Sequence, residues 1–116
     1  MTLNQRIIDA LSPLGLPVVP DTDTGSRERC FVFSADQAPT FFCDDVPWIY
    51  NFQVQVHLFL PAGENGVALT QQAARALHGA GFTRPEVLDA SDESGQHKVL
   101  ECETQALEEE GEYRWL

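Results

Sequence analysis

From Tyr50 to Leu60 the chain reads YNFQVQVHLFL, an alternation of apolar and polar side chains that holds for nearly the whole run. Tyr50, Phe52, Val54, Val56, Leu58 and Leu60 share one face; Asn51, Gln53, Gln55 and His57 share the other, and Phe59 alone breaks the rule. A period of two is the side-chain repeat of a β-strand, so this segment predicts a strand with one face in a core. It is long for a strand, since typical strands run about 5–6 residues. Fully extended it reaches roughly 36 Å at about 3.3 Å per residue. A domain of this length has a radius of gyration of about 13 Å, so part of the strand is expected to overhang its own domain and to need a neighbour. The polar face bears neutral amides and an imidazole rather than lysine and glutamate. Two readings stand: an ordinary solvent face, or a strand face that meets another subunit.

The flanking sequence predicts an α+β domain. Leu3, Ile7, Ile8, Leu11 and Leu14 fall at helical spacing, with Thr2 as N-cap and Pro13 near the end, giving a helix over 3–12. Pro17 to Pro20 is a short extended piece of edge character, because each proline removes a ladder donor. Residues 21–28 form a polar loop. Residues 30–33 predict a strand, 34–39 a turn and 40–43 a further strand. After the long strand, the turn residues of 61–66 lead into a second helix from Val67 to Gly81. Its apolar stripe is Leu69, Ala73, Ala76, Leu77 and Ala80, with Thr70, Gln71, Gln72 and Arg75 opposite. Phe82 is expected to fold back on the last turn of that helix. Residues 85–88 and 97–103 predict two more strands joined by the loop 91–96. The expectation is one domain over 1–106, with two helices and an antiparallel or mixed sheet of four to five strands in the order α-β-β-β-α-β-β, followed by an acidic tail over 107–116.

Charge narrows the partners. Eighteen acidic residues against seven basic ones give −11, and nucleic acid is held mainly through lysine and arginine. No specific nucleic-acid-gripping role is therefore expected, although this balance does not forbid DNA passing nearby. Glu108, Glu109, Glu110 and Glu112 outweigh Arg114 in the tail, but most of the acidity lies in the rest of the chain. No apolar run approaches the ~18 residues of a membrane span. MTLNQRIIDALSPLG lacks a basic leader region, so the expectation is a cytoplasmic protein.

Motifs for chemistry are scarce. Cys30, Cys43 and Cys102 form no C-x-x-C and leave one over; they read as reduced core side chains. His57, His78 and His97 show no metal-ligand spacing. Asp21-Thr22-Asp23-Thr24-Gly25 resembles the start of a calcium loop but lacks its closing glutamate. It reads, like Asp89, Asp92 and Glu93, as solvated loop acid. Asp44 and Asp45, beside Pro47 and Trp48 at the mouth of the long strand, are candidates for a contact rim. Trp115, in the closing EYRWL, is expected to dock either on its own chain or on a neighbouring subunit. No catalytic, cofactor or metal site is assigned.

Taken together, LNQRIIDALSPLGLPVVPD, then DDVPW, a strand ending QVHLFLPAG, a small-residue helix closing on AGFTRPEV, and a last strand after DASDESGQHKVLEC resemble the tail-completion (tail-terminator) proteins of long-tailed bacteriophages and prophages. The resemblance spans nearly the whole chain through element order and length. It implies a non-enzymatic α+β protomer that forms a homo-oligomeric, hexameric ring on the tail tube. Its partners would be sister copies, the tail tube protein and a head-connector or neck protein, first in the host cytoplasm and then in the virion. The positions it marks for ring and tube contacts are the long strand with its rim, Asp44, Asp45, Trp48 and Tyr50, and the helix from Val67. Gln53, Gln55 and His57 on the polar strand face, and Trp115, complete the interface candidates. The alternative is an acidic cytoplasmic adaptor or chaperone-like module that binds a basic or hydrophobic peptide along a sheet edge. A small enzyme built around His57 or His97 is the third reading and has the least behind it.

Overall fold

The computed structural model describes residues 1–20, 29–43, 46–93 and 95–116, with the side chains of 41–43, 46 and 47 outside that description. Helix α1 (Leu3–Leu11) is capped by Thr2, whose hydroxyl accepts from the Gln5 amide at 3.1 Å. A single 3-10 turn (Ser12–Leu14) follows. Strands β1 (Val18–Pro20), β2 (Cys30–Cys43) and β3 (Val46–Leu60) precede helix α2 (Gly66–Gly79). Strands β4 (Glu86–Asp89), β5 (Gln96–Glu109) and β6 (Glu112–Trp115) complete an α+β fold.

The strands form one mixed six-stranded sheet in the order β1-β2-β3-β5-β4, with β6 also on β5. Only β1 runs parallel to its neighbour; the other pairs are antiparallel. Strands β4 and β6 share one edge of β5, pairing with 98–101 and 106–109 respectively. Between them Thr83 exchanges two bonds with the Glu103 backbone (2.8 and 2.9 Å), and the Leu116 amide donates to the Gln105 carbonyl.

Three expectations are corrected. Residues 34–39 are not a turn: 30–43 is one strand, in register with β3 from Cys30↔Phe59 to Pro39↔Tyr50. A long partner supplies ladder bonds that override weak local preference, and Pro39 fits because its missing donor faces the outer edge. The tail over 107–116 is the end of β5 and all of β6. Thr70, assigned to the polar side of α2, is buried, and its hydroxyl donates to the Gly66 carbonyl at 2.6 Å. The buried stripe of α2 is Gly66, Thr70, Ala73 and Leu77. A Cβ on Gly66 would sit 2.7 Å from the Gln96 side-chain oxygen and 3.1 Å from Leu60, so a larger residue there would make the Gln96 amide move aside.

Both helices lie on one sheet face. Ile7 and Leu11 from α1 and Ala73 and Leu77 from α2 meet Phe31, Phe33, Val54, Val56, Leu58 and Leu100. Helix α2 ends as expected: Gly81 (φ +102°) turns the chain so that the Phe82 amide reaches the Leu77 carbonyl at 3.1 Å, and the Phe82 ring is buried. The molecule measures 54 × 25 × 21 Å, because β2 and β3 extend well past the helices.

Candidate functional site

The alternation of β3 separates the candidate residues onto opposite faces. Tyr50 lies on the helix-side face with Phe52, whereas Gln53, Gln55 and His57 lie on the open one. Gln53 and Gln55 are exposed, and His57 is half-buried. Trp48 is 43% exposed near the far end of the β2–β3 hairpin. Asp44, Asp45 and the loop Asp21–Gly25 lie outside the described residues. The candidates therefore do not form one continuous patch.

Trp115 docks on its own chain. Its register partner is Ala106, and its indole Nε1 donates to the Met1 carbonyl at 2.8 Å. The ring lies 5.4 Å from that of Phe52, and Tyr113 meets Phe52 and Tyr50 edge-on at 5.3 and 5.9 Å. The guanidinium of Arg6 is held between Phe82 and Trp115, 4.5 and 4.4 Å from the ring centroids. Its two terminal nitrogens donate to Thr104 Oγ1 (3.1 Å) and the Ala80 carbonyl (2.9 Å). Partial burial lowers the Arg6 pKa, yet these partners suit the cation. Sequence reasoning missed this role for Arg6. The available signal was an arginine inside an amphipathic helix and a tryptophan, expected to dock, at the far end of the chain.

Also missed was a contact on the open face. His57 Nδ1 and His97 Nε2 are 2.8 Å apart, so one ring donates to the other. Phe59, the exception in the alternation, stacks on His97 at 4.3 Å. The two histidines are diagonal neighbours across the β3–β5 ladder, His97 lying two residues from Val99, the register partner of His57, a relation that spacing along the chain cannot reveal. Among the described residues no group of three or more His, Cys, Asp or Glu is placed to hold a metal ion. Neither Cys30 nor Cys102 is in a disulfide. Burial, with Glu103 nearby, pushes the Cys102 thiol up to about 11, which leaves little thiolate near neutrality.

Two edges bear on assembly. The Phe31 amide donates toward β1, to the Pro17 carbonyl at 2.8 Å. By alternation, the backbone groups of Ala35 and Gln37 point the same way, to the outside of the sheet. Among the described residues no strand pairs with β2 there, since β1 stops at the Pro20↔Phe33 pair. At the other margin, β4 presents Val87 (45% exposed) and Leu88 (51%) between Glu86 and Asp89. Asp89 accepts from the Ser91 hydroxyl and amide (2.6 and 3.0 Å) and pairs with Lys98 at 3.3 Å. The two Ser91 bonds, then Lys98, draw its carboxyl down to about 2.

No helix among the described residues is long and apolar enough to cross a membrane. Compared with known proteins, the chain matches no protein-family profile and no curated sequence.

Proposed function

We propose that this protein is a non-enzymatic assembly component, a tail terminator or adjoining neck protein of a long-tailed phage or prophage that acts as a homo-oligomeric ring. One observation carries the reading: β2 and β3, 14 and 15 residues long, run beyond the helices, and the outer edge of β2 past Phe33 has no strand on it among the described residues. An unpaired edge is a template for another chain. The β4 margin lies on the opposite side of the same sheet, so edge-to-edge contact between copies is head-to-tail. Such contacts close into a ring when the rotation per copy allows. The element order fits the family resemblance, and the acidic chain suits a ring that DNA slides through. The protomer would then act by shape, ending tube growth on one side and offering a head-joining surface on the other.

The test is assembly. Negative-stain images of the protein, alone and mixed with tail tubes, are expected to show rings or capped tubes. Ala35→Pro removes an outward donor while leaving the bonds to β3 in place, as Pro39 already does. This variant is expected to keep its secondary structure and lose rings and caps. A wild-type protein that stays monomeric and ignores tubes sinks the reading, and capture of a basic peptide along an edge would favour the adaptor.

A further inference from the structure

The sheet face turned away from the helices has no cover from any described element, and its chemistry changes along the strands. Around His57 and His97 it is more apolar: Leu88 is exposed, Val32 and Phe59 are half-buried, and Val99 between them is buried. Two residues further along, one row runs Ser34, Gln55, Glu101, Glu86 across four strands, and the next runs Asp36, Gln53, Glu103. Glu86 and Glu101 are register partners on neighbouring strands. Like charges directly opposite each other destabilise a sheet, and Glu103 adds a third carboxylate about 7 Å along β5. Together with Asp36 they line a shallow depression of about 330 Å³, to which Arg84 contributes one cation against these four carboxylates. Leu88, two residues from Glu86 on the same face, is 51% exposed.

We propose that this face docks a basic amphipathic segment of a partner protein. The lysines or arginines of that segment lie against Glu86, Glu101, Glu103 and Asp36, and its aliphatic side against Leu88 and Phe59. Charge complementarity selects this occupant. A second copy placed face to face would set each carboxylate group against its own duplicate on a chain of net charge −11. Nucleic acid would bring phosphates to carboxylates. The apolar half of the face distinguishes a protein segment from a small polycation, which has nothing to bury there. The inference stands on the face and is independent of the ring, which uses the edges of the same sheet.

The probe is a fluorescent amphipathic peptide of leucine and lysine, titrated into the full chain at low ionic strength and followed by anisotropy. A matched peptide with glutamate in place of lysine, and a labelled DNA duplex, serve as comparisons. The lysine peptide is expected to bind, and the other two are not. Neutralising the face with Glu86→Gln, Glu101→Gln and Glu103→Gln should weaken binding about tenfold, since exposed ion pairs are each worth up to about 1 kcal/mol. Glu93→Gln, Glu110→Gln and Glu112→Gln remove the same charge from exposed positions elsewhere and should change it by less than about twofold. Leu88→Ser should also weaken it. Amide exchange of the wild-type protein is expected to show peptide-dependent protection over 99–103, a readout that survives if the face variant does not fold. Equal loss in both triple variants, absence of that protection, no binding of the lysine peptide, or preference for the duplex each overturns the proposal. Failure here leaves the behaviour of the β2-edge variant untouched, and failure of ring assembly leaves this binding untouched.

Discussion

The two ends of this sheet are finished by different means. At the β1 end, aliphatic and phenylalanine side chains of β2, β3 and β5 are sealed by two helices, and Phe31, Leu58 and Leu100 are fully buried. At the far end no helix among the described residues reaches the sheet, and the last strand supplies the cover. There Tyr113 and Trp115 close over Phe52 and Tyr50 on the same sheet face, and Gln37 donates to the Tyr113 hydroxyl at 2.7 Å. Burial and the Glu108 carboxylate raise the pKa of Tyr50 beneath this cover. Arg6 joins the two ends, with its backbone in α1 and its guanidinium against Trp115. The comparison teaches that a β-hairpin longer than its helical cover can recruit a terminal strand, and that such cover is thinner, more polar and more dependent on a few rings.

Mutations can break this contrast. Leu58→Ala empties space at a fully buried position of the helix-sealed end and should lower stability by about 3–4 kcal/mol in denaturant unfolding. Trp115→Ala removes the ring that covers Phe52 and flanks Arg6, and a smaller loss of about 2 kcal/mol is expected. Amide exchange should then rise first over β6 and the 104–107 part of β5, while 98–100 stays protected. If exchange rises evenly along β5 instead, the two ends are one cooperative unit and the contrast fails.

The smallest effect concerns the margin of the sealed end. Asp89 has its carboxyl drawn down to about 2 in the folded protein, against about 3.9 in an unfolded chain. A depressed folded value adds stability above the unfolded pKa, and that contribution is lost as pH falls from about 4 to about 2. Thermal melts of wild type and Asp89→Asn should therefore differ slightly at pH 5–7 and converge toward pH 2. A gap that persists unchanged at pH 2 would mean the carboxylate charge is not what holds β4 to Lys98.

Local pattern carried much of this fold. The cap at Thr2 and the fold-back of Phe82 after Gly81 follow from short-range chemistry that neighbours in the chain supply. The two faces of β3 follow from its period, which any partner must respect. Thr70 shows where such reasoning stops: a hydroxyl looks polar, but in a helix it can bond its own turn and be buried. The tail shows the same limit, because a glutamate-rich composition conceals that Tyr113 and Trp115 alternate as a strand does.

By itself the sequence determined that this is an acidic α+β chain built around one long, two-faced strand, because periodicity and capping act over a few residues. Tertiary structure alone decided that 34–39 continues β2, that Arg6 meets Trp115, that His57 bonds His97, and that Glu86 faces Glu101. Each of these joins residues through strand register or sheet packing, and register is set by the whole ladder rather than by any segment of it.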